Sequence, residues 1–308
     1  MILSHWILAR LPRVFSAIFL FGILAPLAQG ATYAPNGDVI GRVTHYTVEE
    51  YDNLYEIARR KNIGIVEILA ANPGTDPWLP EPGSKLTIPG MYILPAIKRQ
   101  GIVVNLSALR LFYFTSEGKV MTFPIGIGKE GWGTPVGTTK IMRKRKDPVW
   151  TPPASIRAQD PDLPASVPPG EENPLGRHAL DLDIPSVLIH GTNRPYGVGK
   201  RSSHGCIRLY PEDMETLYTH VKTGTPVTII DAPYLLGWQQ DTLWLKITPT
   251  QKQADSIADY QPPAPLSAPE LFTAIRKTAQ KKTSIDWDVV KQAITKRDGV
   301  PVAIGRKI

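Results

Sequence analysis

Short hydrophobic segments separated by turn residues fill the middle of the chain, from Gly101 to Asp231. Each segment holds β-branched or aromatic residues between turn formers, so each predicts a strand: Ile102–Leu106, Arg110–Thr115, Val120–Ile127, Thr138–Arg143, Ala179–Asp183, Val187–His190 and Val227–Ile230. A helix is predicted over Pro211–Val221, because a proline followed by two acidic residues suits a helix N-terminus. This density of short strands favours a mostly antiparallel β-sandwich or barrel-like domain, within a mainly β fold that has α+β parts.

The hydrophobic spacing becomes helical in a smaller unit, Val43–Pro89. A strand-like opening at His45–Val48 precedes two short segments whose apolar residues recur every three or four positions, and Lys85–Pro89 closes the unit as a strand. Asp52 is the predicted N-cap of the first helix. The sequence therefore predicts a small βααβ domain in front of the β-rich domain.

The chain beyond the β-rich domain, residues 232–308, predicts one more strand, Thr242–Ile247. Two amphipathic helices are predicted after it, Glu270–Ala279 and Asp286–Ile294. No motif in this part indicates a chemistry, so we treat it as a C-terminal extension whose role the sequence does not indicate.

The segment Lys144–Arg177 interrupts the strands and is rich in proline: Pro148, Pro152, Pro153, Pro161, Pro164, Pro168, Pro169 and Pro174. A loop of this length inside a compact domain is usually functional or disordered. Because proline lowers the entropy that is lost on ordering, we predict a shaped lid or wall over a functional site.

The first thirty residues combine Arg10 and Arg13 with an apolar run, Val14–Leu27, and end in small residues. This pattern predicts a cleaved secretory signal peptide over residues 1–30, with cleavage before Ala31. The alternative is a membrane anchor, but the run is shorter than the about 20 apolar residues that a span requires. We therefore predict an exported protein with no integral membrane span after cleavage.

The formal net charge is +7 and falls to +5 when the N-terminal segment, with two arginines and no acidic residue, is removed. A mild basic excess suits an anionic environment such as a cell wall or lipid headgroups. The basic residues are too dispersed for a nucleic-acid-binding stripe, and the densest run, Arg143–Lys146, is typical of a solvated face. No nucleic acid partner is therefore predicted. Because the chain has one cysteine, it has no intramolecular disulfide and its stability must come from packed cores.

That cysteine, Cys206, carries the strongest functional signal. It lies in Ser203-His204-Gly205-Cys206-Ile207-Arg208, and His190 ends a predicted strand upstream. A thiolate is a strong nucleophile, and an imidazole can take the thiol proton and later give it to a leaving amine. We predict Cys206 as the nucleophile and His190 as the general acid/base, because a side chain on an adjacent strand can approach the sulfur freely. His204, two positions from the cysteine, is predicted to orient the site or contact the substrate.

Backbone groups beside the nucleophile form the predicted oxyanion hole. A glycine there lets the chain come close, so the N–H groups of Gly205 and Cys206 are the candidates. Arg208 can bind a substrate carboxylate or make a structural ion pair, and Ser203 is a further supporting residue.

Three other interpretations of the cysteine stay open. Cys206 can be an inert packed side chain, although His-Gly-Cys is not an apolar run. It can bind zinc with His190, His204 and either His178 or an acid, although the usual paired-ligand spacing is missing. A papain-like protease also pairs cysteine with histidine, but its cysteine begins a helix. We predict no metal and no cofactor.

These motifs resemble the signature of the L,D-transpeptidases, the family with a YkuD or ErfK-type catalytic domain. The matching segments are His190–Thr192, Ser203–Arg208, Gly126–Gly128, Thr134–Gly137 and Asn173–Gly176. The resemblance covers residues 100–231.

Residues 43–90 resemble a LysM module. The Tyr-Thr-Val opening, the Asp-x-Leu helix start and the Leu-x-Ile-Pro close match, whereas Glu49–Tyr51 replaces a Pro-Gly turn of that family. The LysM resemblance implies binding to glycan strands that contain N-acetylglucosamine, with a simple spacer as the alternative. The complete arrangement resembles the enterobacterial ErfK, YbiS, YcfS and YnhG group.

The family resemblance implies a reaction on peptidoglycan in the periplasm. Cys206 would attack the diaminopimelate carbonyl of a tetrapeptide stem and release D-alanine, with His190 as acid/base and the Gly205 and Cys206 backbone as oxyanion donors. The acyl group of the thioester would then be transferred to an amine, and the first choice of acceptor is a lysine of an outer-membrane lipoprotein. Diaminopimelate as acceptor would give direct cross-links, and water would make the protein an L,D-carboxypeptidase. The resemblance also implies inhibition by carbapenems. A non-enzymatic wall-binding scaffold is the alternative from another class, and the presence of both Cys206 and His190 counts against it.

Overall fold

The computed structural model describes residues 31–263, 269–279 and 282–308. The predicted signal peptide, residues 1–30, lies outside the described residues. The strands are β1 Ala31–Tyr33, β2 Val39–Gly41, β3 Thr44–Thr47, β4 Lys85–Ile88, β5 Met91–Ile93, β6 Gly101–Asn105, β7 Arg110–Phe114, β8 Val120–Pro124, β9 Ile127–Gly128, β10 Gly137–Lys146, β11 His178–Leu182, β12 Leu188–His190, β13 Arg201–Ser203, β14 Ile207–Arg208, β15 Pro226–Ile230, β16 Tyr234–Gln239, β17 Thr242–Ile247, β18 Thr283–Ile285 and β19 Val302–Lys307. The helices are α1 Leu54–Arg60, α2 Ile65–Ala71, α3 Ala154–Arg157, α4 Pro211–His220, α5 Gln251–Ala258, α6 Pro269–Thr278 and α7 Trp287–Lys296.

The largest sheet has nine strands in the order β1-β8-β7-β6-β15-β10-β11-β12-β14. Its neighbouring strands are antiparallel except for two parallel pairs, β6 with β15 and β12 with β14. The short strands β9 and β13 form a separate parallel pair. The prediction of a mainly β chain with mostly antiparallel strands is confirmed, and the strands form one large curled sheet.

The centre of this sheet is buried on both faces. Ile102 and Val104 of β6 belong to the main hydrophobic core, whereas Val103 belongs to a second core with Phe112 and Tyr92. Successive side chains of a strand point to opposite faces, so the uninterrupted apolar run of β6 reflects packing on both sides.

The βααβ unit forms as predicted, from β3, α1, α2 and β4, around a core of its own. The predicted helix cap is wrong by one residue. Asn53 caps α1, and its Oδ1 accepts a hydrogen bond from the Glu56 N–H at 3.0 Å. The Asp52 carboxylate instead accepts hydrogen bonds from the Tyr46 hydroxyl at 2.8 Å and from Arg60 at 2.6 Å. Asp52 therefore ties β3 to α1 and is not available as a cap.

The βααβ unit packs directly against the large sheet. Val66 of α2 belongs to the main core of the sheet, and its N–H donates to the Gly199 carbonyl at 3.2 Å. A Cβ atom on Gly64 would lie 2.7 Å from the Gly199 Cα, which is closer than real Cβ contacts come. Two glycines thus allow the two backbones to touch.

Buried charges join three parts of the chain at this junction. The Arg110 side chain is 1% exposed and donates to Glu67 Oε2 and to the Asn62 carbonyl, both at 2.9 Å. Lys246 Nζ, from β17, lies 3.8 Å from the other oxygen of Glu67. Buried ions are tolerated when they are paired in this way, so the βααβ unit, the large sheet and the C-terminal part depend on one another for charge compensation.

The C-terminal part has its own sheet, in the order β16-β17-β19-β18, with α6 and α7 packed on it. The predicted strand coincides with β17, and the two predicted helices appear with their ends displaced by one or two residues. In α5, Ala254 enters the main core and Ile257 packs against the core of the βααβ unit. Within the described ranges, no helix has the length and apolar character needed to cross a membrane.

Candidate active site

The segments that contain the predicted catalytic residues, His190 and Cys206, lie at one edge of the large sheet. In the parallel pair of β12 and β14, Ile189 is opposite Ile207 and His190 is opposite Arg208. The Leu209 N–H donates to the His190 carbonyl at 2.9 Å and extends this pairing. Since Cys206 directly precedes β14, the strand pairing brings the segments of His190 and Cys206 together.

The turn before the cysteine is held by Ser203, whose side chain is fully buried. Its Oγ donates to the Cys206 carbonyl at 2.6 Å and accepts a hydrogen bond from the Gly205 N–H at 3.2 Å. Gly205 has φ +101°, a backbone conformation that residues with a side chain rarely adopt. The Gly205 N–H, predicted as an oxyanion donor, is thus engaged with Ser203 in this structure.

Thr134, for which the sequence predicts no role, connects the loop between β9 and β10 to this turn. Its buried Oγ1 donates to the Gly205 carbonyl at 3.0 Å and accepts from the Gly128 N–H at 3.1 Å. A Cβ on Gly128 would lie 1.9 Å from the Trp132 carbonyl oxygen and 3.1 Å from the Gly205 Cα, so glycine is needed at this position. The sequence signal was present in the segments Gly126–Gly128 and Thr134–Gly137.

The protonation of His190 follows from its surroundings. The side chain is 3% exposed, and its Nδ1 lies 2.6 Å from the Gly191 carbonyl oxygen. A carbonyl only accepts hydrogen bonds, so Nδ1 carries the proton and Nε2 of the neutral ring is the proton acceptor. Burial, reinforced by the positive charge of Arg208, lowers the pKa of His190 to about 3. The resting imidazole is therefore neutral.

The Cys206 thiol is also neutral at rest. Burial raises the pKa of Cys206 above its ordinary value, although the nearby Arg208 charge works in the opposite direction. The Sγ–H donates to the Ser186 carbonyl at 3.4 Å. Ser186 and Leu188 line a cavity of about 440 Å³, whose wall also includes Arg143, Arg145, Asp181, Leu182, Asp183, Ile184, Pro185 and Val187.

The half-buried Arg208 side chain places a positive charge near both groups, because that charge lowers the pKa of His190 and the pKa of Cys206. Burial lowers the pKa of the Arg208 guanidinium. Among the described residues, nothing accepts a hydrogen bond from its buried Nε. Arg145 and Arg143, by contrast, both bind Asp181, with Nε–oxygen distances of 3.0 and 2.6 Å. The Nε–H of the Arg208 guanidinium can therefore donate a hydrogen bond to a ligand.

The proline-rich segment is folded back on itself and reaches the turn that precedes Cys206. Trp150 and Val167 exchange backbone hydrogen bonds of 2.9 and 2.8 Å across it. Asn173 is fully buried, and its Nδ2 lies 2.8 to 3.1 Å from the carbonyl oxygens of Pro148, Val167 and Pro168. These contacts close the base of the loop and give it a defined shape.

The tip of this loop reaches His204. The Gln159 Oε1 lies 3.3 Å from the His204 Nε2, and the His204 ring meets Trp132 edge-on with 4.9 Å between centroids. Burial lowers the pKa of His204, with the charge of Lys129 as the next cause. His204 thus contacts the loop, and its orienting role stays a prediction.

The zinc site considered above, with His190, His204, Cys206 and His178, is compared here with the positions of these residues. In the part of the chain that the structure describes, no group of three or more His, Cys, Asp or Glu side chains is placed to hold a metal ion. His178, named above as a possible zinc ligand, packs its ring on Tyr218 with 4.3 Å between centroids.

Comparisons with known proteins agree on both domains. Residues 99–229 match the family model of the L,D-transpeptidase catalytic domain, YkuD, and residues 46–89 match that of the LysM domain. The chain is 38% identical over 271 residues to the probable L,D-transpeptidase YcfS of Escherichia coli, which covers 85% of this chain and 83% of the relative. It is 38% identical over 260 residues to the probable L,D-transpeptidase ErfK/SrfK of Salmonella typhimurium, with 82% of each chain covered. The match to the probable L,D-transpeptidase YbiS of Escherichia coli is 34% over 307 residues and covers 96% of this chain and 99% of that one.

Proposed function

Since the chain belongs to the L,D-transpeptidase family, we propose that it acylates Cys206 with the diaminopimelate carbonyl of a peptidoglycan tetrapeptide stem in the periplasm. D-alanine leaves, and the acyl group passes to an amine. One observation carries this proposal: a neutral His190, with Nε2 as its proton acceptor, lies on the strand that pairs with the strand following Cys206.

In the first half-reaction, the sulfur–carbon bond forms while the thiol proton moves to His190 Nε2. Burial favours the neutral thiol and the neutral imidazole, so the proton moves during the attack and not before it. The backbone N–H of Cys206 is the proposed oxyanion donor, joined by Gly205 if the substrate displaces the Ser203 hydroxyl. His190 then gives its proton to the amine of D-alanine as the carbon–nitrogen bond breaks.

In the second half-reaction, a neutral amine attacks the thioester. His190 Nε2 takes the proton of the amine as the new carbon–nitrogen bond forms, and it gives that proton to the Cys206 sulfur as the carbon–sulfur bond breaks. No nucleotide is needed, because the thioester conserves the energy of the cleaved amide.

The cavity beside Cys206 is the proposed binding site of the stem. Arg143 and Arg145 line it but are bound to Asp181. Arg208 is therefore the proposed carboxylate-binding group, because its Nε has no acceptor among the described residues and its charge acts on Cys206. Guanidinium groups bind carboxylates through paired hydrogen bonds, and the stem carries carboxylates on either side of the bond to be cleaved.

For the acceptor we propose a lysine amine of an outer-membrane lipoprotein. The support is the likeness to this group of relatives, which for YbiS covers 96% of this chain and 99% of that one and so includes the C-terminal part. Diaminopimelate is the second candidate, and transfer to water is the third.

A partition experiment distinguishes these outcomes. The mature protein is incubated with a disaccharide-tetrapeptide and an equimolar lysine-ending lipoprotein peptide, and the products are identified by mass spectrometry. A stem–lipoprotein conjugate supports the proposal. Stem dimers indicate cross-linking, and a tripeptide with free D-alanine indicates hydrolysis. Absence of all three products from a folded protein with a titratable thiol would favour a non-enzymatic scaffold.

Export is tested separately. Cell fractionation followed by N-terminal sequencing should place the mature chain in the periplasm with Ala31 as its first residue. Retention of residues 1–30 in a membrane fraction would favour the anchor.

A further inference from the structure

Helix α5 belongs to neither of the two domains that match a family model, since those matches end at residues 89 and 229. It nevertheless packs on both domains: Ala254 enters the main core of the large sheet, and Ile257 packs against the core of the LysM domain. A capping box fixes the start of the helix, because the Gln253 side chain accepts from the Thr250 N–H at 2.9 Å and the Thr250 side chain accepts from the Gln253 N–H at 3.4 Å. The position of α5 is therefore fixed relative to the active site.

An ion pair connects α5 to the strand that precedes the nucleophile. The carboxylate of Asp255 binds the Nη1 of Arg201, the first residue of β13. The Arg201 side chain is 10% exposed and the Asp255 side chain 34%, so the pair is partly shielded from water. Burial raises the pKa of Asp255, and the positive charge of Arg201 opposes this rise. Arg201 thus favours the ionised carboxylate that binds it.

The same guanidinium also binds the loop that meets the nucleophile turn. The Arg201 Nε donates to the Gly128 carbonyl at 3.2 Å. The Gly128 N–H donates to Thr134 Oγ1, which in turn donates to the Gly205 carbonyl. A continuous series of polar contacts therefore leads from α5 to the residue before the nucleophile, through Asp255, Arg201, Gly128, Thr134 and Gly205.

The strands that Arg201 supports are short. β9 has two residues and β13 has three, and they pair with each other outside the large sheet. Two backbone hydrogen bonds hold them at their ends, from the Ile127 N–H to the Lys200 carbonyl at 3.1 Å and from the Lys129 N–H to the Ser203 carbonyl at 2.9 Å. An isolated pair of strands is only marginally stable, so a side chain that binds both this pair and α5 has a substantial effect on its position.

We propose that Asp255 is a positioning residue of the active site: through Arg201 it holds β9 and β13, and with them the turn that carries Cys206. The inference rests on the proposed function, because it gives α5 a part in the acylation of Cys206. It also gives the C-terminal part, for which the sequence indicates no role, a function in catalysis. That part fixes the nucleophile turn from outside the catalytic domain.

The first test measures D-alanine release from a disaccharide-tetrapeptide. Asp255→Asn keeps the size of the side chain and removes its charge, and kcat should fall about fivefold or more while KM changes by less than about twofold. Asp255→Glu restores the carboxylate and should stay within about threefold of the wild-type kcat. The matched control is Asp259→Asn, since Asp259 lies one helical turn further, is exposed and forms no salt bridge with a described residue. Thermal unfolding confirms that each variant is folded.

A double variant tests the route through Arg201. Arg201→Gln should lower kcat at least as much as Asp255→Asn does, because Arg201 also binds the Gly128 carbonyl. If Asp255 acts through Arg201, adding Asp255→Asn to Arg201→Gln should lower kcat by less than about twofold more. Multiplication of the two single losses in the double variant would overturn this route.

Thiol labelling reports on the turn without any stem peptide. Cys206 is half-buried, so a loosened turn exposes the sulfur, and iodoacetamide should label folded Asp255→Asn at least about twofold faster than the wild-type protein or Asp259→Asn. Wild-type kcat and a wild-type labelling rate in Asp255→Asn would overturn the proposal, and so would equal effects in Asp259→Asn. If the wild-type protein releases no D-alanine while labelling still depends on Asp255, the proposed acylation is wrong and the positioning of the turn by Asp255 stands.

Discussion

Gly64 of the LysM domain and Gly199 of the segment between His190 and Cys206 are in backbone contact, and a Cβ on Gly64 would lie 2.7 Å from the Gly199 Cα. Because the Val66 N–H also donates to the Gly199 carbonyl, the LysM domain supports the loop between β12 and β13, which precedes Cys206. The domain is therefore part of the structural frame of the active site.

Replacement of Gly64 by alanine should force this junction apart. Gly64 has an ordinary negative φ of −84°, so alanine adds steric overlap without backbone strain. We expect a loss of about 1–3 kcal/mol in the free energy of unfolding, with Tm falling by about 2–4 °C per kcal/mol. Gly133→Ala is the matched control, because a Cβ there meets open space. Equal Tm values for both variants would contradict the close junction.

Replacement of Ser203 by alanine should disturb the turn that carries the nucleophile. The Gly205 N–H and the Cys206 carbonyl would both lose their partner, and an unsatisfied buried polar group costs about 1–3 kcal/mol. We expect kcat to fall by about tenfold or more with a smaller change in KM. Ser202 lies beside Ser203 on β13, and Ser202→Ala, which removes one hydrogen bond to the Gly197 carbonyl, should have a smaller effect. A Ser203→Ala enzyme with unchanged kcat would show that this turn does not need the hydroxyl.

Replacement of Asn173 by aspartate should loosen the lid. The amide nitrogen faces three carbonyl oxygens, so a carboxylate oxygen in its place would be repelled by all three. We expect faster proteolysis within residues 149–172 and a lower kcat, measured by limited proteolysis and by D-alanine release. The control is Asn193→Asp, which removes one exposed hydrogen bond to the Glu172 carbonyl. If both variants are cleaved at the wild-type rate, Asn173 does not hold the lid.

The rate of thiol alkylation should depend on pH in a way that reports a neutral resting pair. The raised pKa of Cys206 keeps the thiol protonated at neutral pH, so labelling by iodoacetamide should increase as pH rises through and beyond the range of ordinary cysteines. With a pKa of about 3, His190 stays neutral and should add no inflection near about pH 6.5. A labelling rate that is already maximal below about pH 7 would instead indicate a thiolate–imidazolium pair.

The proposed catalytic residues could be named from the sequence because their motif is local. Ser203–Arg208 is one continuous turn and strand, and His190 ends a strand of recognisable pattern. The junction could not be predicted in this way. Arg110, Glu67 and Lys246 come from three units, and each alone has the appearance of a solvated surface charge. Their burial is decided by tertiary packing, which hydrophobic periodicity does not report.

The same distinction applies to the turn around the nucleophile. The sequence predicts the Gly205 N–H as an oxyanion donor, but it does not indicate that the Ser203 Oγ already accepts the hydrogen bond of that N–H. Thr134 likewise acquires its role only when two loops meet over Gly128 and Gly205.

Intact-mass analysis of the mature protein during incubation with a disaccharide-tetrapeptide tests whether Cys206 is the nucleophile. We predict an adduct of the stem minus D-alanine on the wild-type protein. Cys206→Ala should form no adduct, and His190→Ala should form it far more slowly than His204→Ala. An adduct that persists in Cys206→Ala, or the complete absence of an adduct from the folded wild-type protein, would contradict the assignment of Cys206 as the nucleophile.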